Sequence, residues 1–231
     1  MNTSNPNLPL LESVVRALGS LCQQLVFVGG CATGLLITET ATPPVRATKD
    51  VDVIAEVLSL ADYHALERQL ESSGFRHERS PDAPICRWSV GGALLDVMPT
   101  DESILGFGNR WYGEAIHTAA MVVLPSGQKI RLISPPAFLA TKLEAFRGRG
   151  GGDFLASHDL EDIITVVDGR PELAKEVHEA SVQLREYLVG HLRELLQDNS
   201  FLEALPGHLA GDAASQARLP VLTSRLRALA Q

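Results

Sequence analysis

The stretch Thr48-Lys49-Asp50-Val51-Asp52-Val53-Ile54 places two carboxylates two residues apart in a segment that reads as a strand. Alternate strand residues share a face, so Asp50 and Asp52 project to one side while Val51 and Val53 enter the core. Neighbouring carboxylates repel. At about 4 Å and an effective dielectric near 20 the cost is about 4 kcal/mol. Either one of them stays protonated or a cation sits between them. Paired oxygens without His or Cys suit Mg²⁺. A third carboxylate, Asp96, interrupts the apolar run Leu94-Leu95-Asp96-Val97-Met98, where a lone charge is expensive. With the two strands side by side, Asp50, Asp52 and Asp96 form a metal site for two Mg²⁺ ions, suited to in-line attack on a nucleotide phosphate. The competing reading puts the Asp-x-Asp pair on a solvated strand edge and Asp96 in a turn.

Other residues could serve the same chemistry. Gly29-Gly30 follows a short apolar strand and precedes a helical segment. Such a turn offers backbone N–H groups to a triphosphate, and a side chain there would block the approach of the phosphate. The Thr48 hydroxyl either binds a phosphate oxygen or caps a turn. Lys142 lies in a helical segment and Asp159 and Asp162 in a later one; the plain alternative for all three is a solvated helix face. In the glycine-rich stretch Arg147–Asp153, Arg147 and Arg149 bring phosphate affinity, to close over a nucleotide or to act as a simple linker. His64 and His77 lack metal-ligand spacing and read as surface residues. Trp88 and Trp111 read as packing.

The elements that must position these residues follow from periodicity and turn signals. Helices are expected over 10–22, 31–37, 60–72, 137–146, 155–167, 172–179 and 182–196. Strands are expected over 25–28 and 51–55. Two hairpins are expected, 85–90 with 93–98 turned at Gly91-Gly92, and 121–124 with 129–133 turned at Ser126-Gly127. The segment 39–47, with Pro43-Pro44, is a loop. The fold class is therefore α+β: an α/β core over 1–134 carrying a mixed β-sheet, then a helical C-terminal region over 135–231 that completes the active-site cleft. Residues 204–231 are left unassigned.

The chain has 231 residues, 45% hydrophobic and 21% charged, the balance of a globular protein. Its formal net charge is −8. Residues 43–150 are almost charge-balanced and residues 153–203 are acidic, which argues against a purely electrostatic nucleic-acid binder. There is no run long and apolar enough for a membrane helix and no secretory start. The three cysteines form no CxxC pair, which fits a reducing cytoplasm and excludes a zinc ribbon.

Taken together, the Gly29-Gly30 turn, Thr48-x-Asp50-x-Asp52 and Asp96 resemble the nucleotidyltransferase superfamily with the polymerase-β-like fold. Lys142, the arginines after it and Ser157-His158-Asp159-Leu160-Glu161-Asp162-Ile163 are similar to its AbiEii/AbiGii-type branch, which includes MenT-type toxins. The resemblance spans roughly residues 25–168. It implies that Gly29 and Gly30 bind phosphate, that Thr48, Asp50 and Asp52 form the hydroxyl and metal-binding motif, and that Asp96 activates the acceptor hydroxyl. It further implies that Lys142 contacts the nucleotide phosphates and that Asp159 is the later functional acid. Gly-Gly stands where Gly-Ser is common, Thr48 where Ser is common and His158 where Lys is usual.

The implied activity is Mg²⁺-dependent transfer of a nucleotide from an NTP to the 3′ end of tRNA, by the toxin of a toxin–antitoxin or phage-defence system with an antitoxin partner. The alternatives are a small-molecule (aminoglycoside-like) or protein hydroxyl as acceptor, or a catalytically silent binding module that keeps the fold.

Overall fold

The computed structural model describes residues 5–40, 42–57, 59–149 and 152–231. The helices are α1 (Leu8–Leu18), α2 (Gly29–Leu36), α3 (Leu60–Ser72), α4 (Glu102–Leu105), α5 (Tyr112–His117), α6 (Pro135–Arg149), α7 (His158–Gly169), α8 (Leu173–Glu179), α9 (Val182–Gln197), α10 (Asn199–Ala204), α11 (Ala213–Gln216) and α12 (Leu219–Leu229). The strands are β1 (Leu25–Val28), β2 (Asp50–Ala55), β3 (Arg76–His77), β4 (Arg87–Val90), β5 (Ala93–Pro99), β6 (Ala120–Val123) and β7 (Lys129–Leu132). The chain divides into two compact units, Asn5–Ala32 with Arg46–Ser134, and Thr33–Val45 with Pro135–Gln231.

The first unit holds a seven-stranded mixed sheet of order β3-β4-β5-β2-β1-β7-β6, so the protein is α+β. β1 is antiparallel to β2, and β2 is parallel to β5. All four residues of β1 are buried, as expected of a strand covered on both faces. β2 alternates at its start: Val51 and Val53 are wholly buried, and Asp50 and Asp52 are half-buried on the other face. β4 and β5 form a hairpin with Val90 opposite Ala93. Both turn residues, Gly91 and Gly92, have positive φ (54° and 85°), the requirement of a tight two-residue turn. On α1, Leu11, Val14, Val15 and Leu18 form the buried stripe, at helical spacing.

The second unit is helical apart from its loops. α6 is buried on nearly every side, through Ala137, Phe138, Leu139, Ala140, Leu143 and Phe146. α7 packs on it and buries Leu160, Ile163, Ile164 and Val167. The C-terminal residues that the sequence leaves unassigned are ordered as helix: Leu222, Leu226 and Leu229 of α12 are buried. The segment 33–45 belongs to this unit for a visible reason. The N–H groups of Thr38 and Glu39 both donate to Gly169 O at 3.0 Å. Arg218 and Arg225 each reach the Glu39 carboxylate, and both donate to the backbone oxygen of Asp168. Cations at the last turn of α7 answer its exposed carbonyls.

Several boundaries differ from expectation, three of them for visible reasons or with bearing on the candidate site residues. α7 opens at His158 rather than 155, because Asp153 Oδ1 accepts from the N–H groups of Leu155 and Ala156 at 2.9 Å and holds a turn there. α6 runs on to Arg149, so Arg147 and Arg149 sit on a helix rather than in a loop; Gly150 and Gly151 lie outside the described residues. Helix α1 stops at Leu18, where Gly19 takes φ 56° and a 3₁₀ turn follows.

The approach to β2 is fixed by a residue the sequence does not advertise. Asn7, 1% exposed, accepts from Thr48 N at 2.8 Å and donates to Arg46 O at 3.0 Å. Replacing it with Ala strands a backbone donor and an acceptor, at about 1–3 kcal/mol. Asn7→Ala should lower the urea midpoint by the corresponding amount, with the denaturant slope unchanged.

Candidate active site

β2 and β5 run parallel with Asp52 level with Asp96 and Asp50 level with Leu94. The two strands carrying the three carboxylates are therefore neighbours, and Asp96 is buried rather than in a turn. What the carboxylates meet is an arginine. Arg87 Nη2 lies 2.6 Å from Asp50 Oδ2 and 2.7 Å from Asp96 Oδ2. Its Nε lies 2.7 Å from Asp96 Oδ1. The guanidinium grips Asp96 with two bonds, a strong charge-assisted geometry, and spans to Asp50 with one of the same nitrogens. The hydrogen bonds to Asp96 lead in holding the Arg87 pKa above its ordinary value, with the charges of Asp96 and Asp50 adding to them. Burial, followed by the Asp96 charge, pushes the neighbouring Cys86 thiol up to about 12.

The Asp52 carboxylate stands beside Gly29. An added Cβ on Gly29 would stand 1.8 Å from Asp52 Oδ2 and 2.7 Å from its Cβ, and Gly29 has φ 67°. Glycine is required at 29 because a carboxylate of the same chain occupies the space that a side chain would fill. The sequence reading gave that requirement to an incoming phosphate. Gly30 is buried. The Thr48 hydroxyl donates to Asp50 O at 3.1 Å, so it closes its own turn into β2.

Among the described residues, no three His, Cys, Asp or Glu side chains are gathered closely enough to hold a metal as they stand. Arg87 fills the point where Asp50 and Asp96 meet. The donor chemistry still fits a hard divalent cation. The oxygens are carboxylate only, and Asp50 Oδ2 and Asp96 Oδ2 already converge on one cationic nitrogen, as ligands of Mg²⁺ must.

The second unit holds its own cluster. Lys142 is 9% exposed, Asp159 6% and Asp162 2%, so none of the three decorates a solvated face. Lys142 Nζ lies 3.1 Å from Asp159 Oδ1 and 2.7 Å from Asp162 Oδ2. Arg149 donates to both Asp159 oxygens, at 3.0 and 3.1 Å. Two acids one turn apart on α7 share a cation from α6, and buried charge tolerates little else. Lys142, expected on a phosphate, is held by carboxylates. Burial raises the Asp159 pKa, but the Arg149 bonds and the Lys142 charge outweigh it and hold the carboxyl below the usual range. Arg147 points elsewhere, to His191 and Glu194 on α9 at 2.8 and 2.9 Å. His158 is exposed beside Glu161. His77 is half-buried against Trp88, with centroids 3.8 Å apart, rather than a plain surface residue.

Arg87 is the residue that sequence reasoning missed, although the signal was present. In a hairpin turned at Gly91-Gly92, the residue four before Gly91 faces the residue four after Gly92. Those positions are Arg87 and Asp96, and they pair in the structure.

No family model and no curated protein sequence matches the chain. Solved structures do. An antigenic nucleotidyltransferase-like protein from Paracoccidioides brasiliensis superposes with a TM-score of 0.50 at 20% identity, over 91% of this chain and 96% of that one. The chain has the nucleotidyltransferase-like fold. Weaker likenesses are to JHP933 from Helicobacter pylori (TM-score 0.48, 12% identity, 96% of this chain and 92% of that one) and to the antibiotic-resistance factor ANT(2'')-Ia (0.47, 17%, 84% and 99%). Among the described residues no helix is long and apolar enough to cross a membrane. Cys22, Cys31 and Cys86 are all buried and unbridged.

Two outcomes follow from the geometry. Gly29→Ala must strain the backbone by about 1–3 kcal/mol and expel Asp52 as well; thermal melting should register a loss of at least that size. Asp159, with its pKa lowered in the folded state, stabilises the protein fully above the ordinary carboxylate value near pH ~4. That stabilisation is lost as pH falls through the lower folded value. Urea midpoints between pH 5 and pH 2.5 should fall more steeply for the wild type than for Asp159→Asn.

Proposed function

We propose that the protein is a Mg²⁺-dependent nucleotidyltransferase that moves an NMP from an NTP to a hydroxyl acceptor. The observation that carries this reading is the meeting of Asp50 and Asp96, from adjacent parallel strands, on a single cation position. The fold it sits in supports it.

In this reading Asp50, Asp52 and Asp96 supply the oxygens that hold the metal. When bound, the metal neutralises triphosphate charge and polarises the α-phosphate. The Gly29-Gly30 turn at the start of α2 receives phosphate oxygens on backbone N–H groups. Asp96 takes the proton of the acceptor hydroxyl; each carboxylate oxygen carries a second lone pair beyond the one given to Arg87. The acceptor oxygen bonds to the α-phosphorus, the α–β phosphoanhydride bond breaks, and pyrophosphate leaves. Lys142, between Asp159 and Asp162, holds these acids in place, and Arg149 and Arg147 at the end of α6 offer positive charge for anionic groups of a substrate.

The acceptor proposed first is the 3′ end of tRNA, the reading carried by the similarity to AbiEii/AbiGii-type and MenT-type toxins. It brings with it a toxin–antitoxin or phage-defence role, a cognate antitoxin and a cytoplasmic setting. A second reading, a cationic small molecule such as an aminoglycoside, has one observation in its favour. The net charge is −8, and the basic side chains of the helical cluster are already matched by carboxylates.

Purified protein with Mg²⁺ and each α-³²P-labelled NTP, offered total tRNA or an aminoglycoside panel, should transfer label to one acceptor class. Asp50→Asn should reduce transfer by at least a hundredfold while melting as a folded protein. Full transfer by that variant, or none by the wild type on any acceptor, would leave a binding module in place of an enzyme.

A further inference from the structure

We infer that Arg87 is an internal counter-cation that the catalytic metal must displace, so this one side chain sets the protein's affinity for metal in the absence of nucleotide. The inference rests on the transferase reading of Asp50 and Asp96.

The argument begins with space. Asp50 Oδ2 and Asp96 Oδ2 lie 2.6 and 2.7 Å from the same arginine nitrogen. Mg²⁺ binds oxygens at about 2.0–2.1 Å. An ion joining those two oxygens would fall in the volume already filled by Nη2, so the two cations exclude each other.

Screening leads to the same conclusion. The site is half-buried, with the Arg87, Asp50 and Asp96 side chains 20%, 29% and 9% exposed, so a divalent ion and a guanidinium held side by side there would repel one another with little relief from solvent.

The arginine also has a way out. It starts β4, which is flanked on its outer side by the two-residue strand β3. Its side chain already touches solvent. Its grip on Asp96 uses Nε and Nη2, and side-chain rotation alone breaks it. A released guanidinium needs an anion, and a metal–nucleotide complex brings one: planar and multidentate, it matches phosphate oxygens. Metal alone must therefore bind weakly, and metal with a triphosphate tightly. Without this coupling, the three carboxylates would collect divalent cations in the absence of substrate.

The test is Mn²⁺ binding to the nucleotide-free protein, measured by electron paramagnetic resonance, for wild type, Arg87→Gln and Asp50→Asn. Arg87→Gln should bind Mn²⁺ at least tenfold more tightly than wild type, and Mn²⁺ should raise its melting temperature more than it raises the wild type's. Equal or weaker binding by a folded Arg87→Gln overturns the inference and leaves the metal site standing. No Mn²⁺ bound by either protein, at millimolar metal, overturns the metal site and the inference with it.

A measurement on the unaltered protein covers a variant that does not fold. The Arg87 Nε–H resonance in ¹⁵N spectra should report a bond to Asp96 without metal and lose it on saturation with Mg²⁺ and a non-hydrolysable NTP. A resonance that stays in place at saturation counts against displacement.

Discussion

The arrangement of the sheet unit depends on one electrostatic constraint: two carboxylates on adjacent parallel strands cannot share a half-buried face without a cation between them. Asp50 and Asp96 are that pair, and Arg87 is the cation. The rest of the unit can be understood as what this triad needs. β2 must lie beside β5 to bring the acids together, and β4 must fold back on β5 to deliver the arginine. Val51, Val53, Leu95 and Val97, all wholly buried, anchor the opposite face, so the strands cannot rotate to relieve the charge. Removing one member of such a set leaves another charge unpaired, which costs far more than the set contributes as a whole.

The helical unit solves the same problem separately, with its own residues. Asp159 and Asp162 on α7 meet Lys142 on α6, and Arg149 closes the outer side. In the sheet cluster the acids come from two strands and the base from a third; in the helical cluster both acids come from α7 and both bases from α6. They differ in cation. A lysine serves two acids as a point charge in the buried cluster, whereas the planar fork of an arginine can take two oxygens of one carboxylate and one of another.

Much of this was legible in the sequence. The apolar run of β1, the helix of residues 60–72 and the Gly91-Gly92 hairpin all declare themselves through periodicity or turn chemistry, and the structure has them there. The Asp-x-Asp strand and the isolated Asp96 declared a charge problem. What the sequence did not declare was the solution. Arg87 reads as one arginine among many until the hairpin is folded, because pairing across a turn is a relation between positions rather than a motif. Lys142, Asp159 and Asp162 admit a solvated face as well as a functional role for a related reason. Their segments are rich in charge, and only the packing of α6 on all sides shows that these three are inside. Asn7 was invisible because its work, holding Arg46 and Thr48, joins residues about forty positions apart. Gly29 stands out for the room it would leave a phosphate, but the occupant of the space beside it, Asp52, does not.

The hairpin that carries Arg87 also acts as a ruler. A strand slipped by one residue turns every side chain to the other face. Arg87 stands four positions before Gly91, and Asp96 four positions after Gly92. The arms are therefore length-locked, while the tip, exposed at Gly91 and Gly92, is not. Evolution or an engineer can lengthen the turn freely, as exposed tips usually permit. One residue gained or lost along either arm would instead aim the guanidinium through the sheet, leaving two acids facing each other.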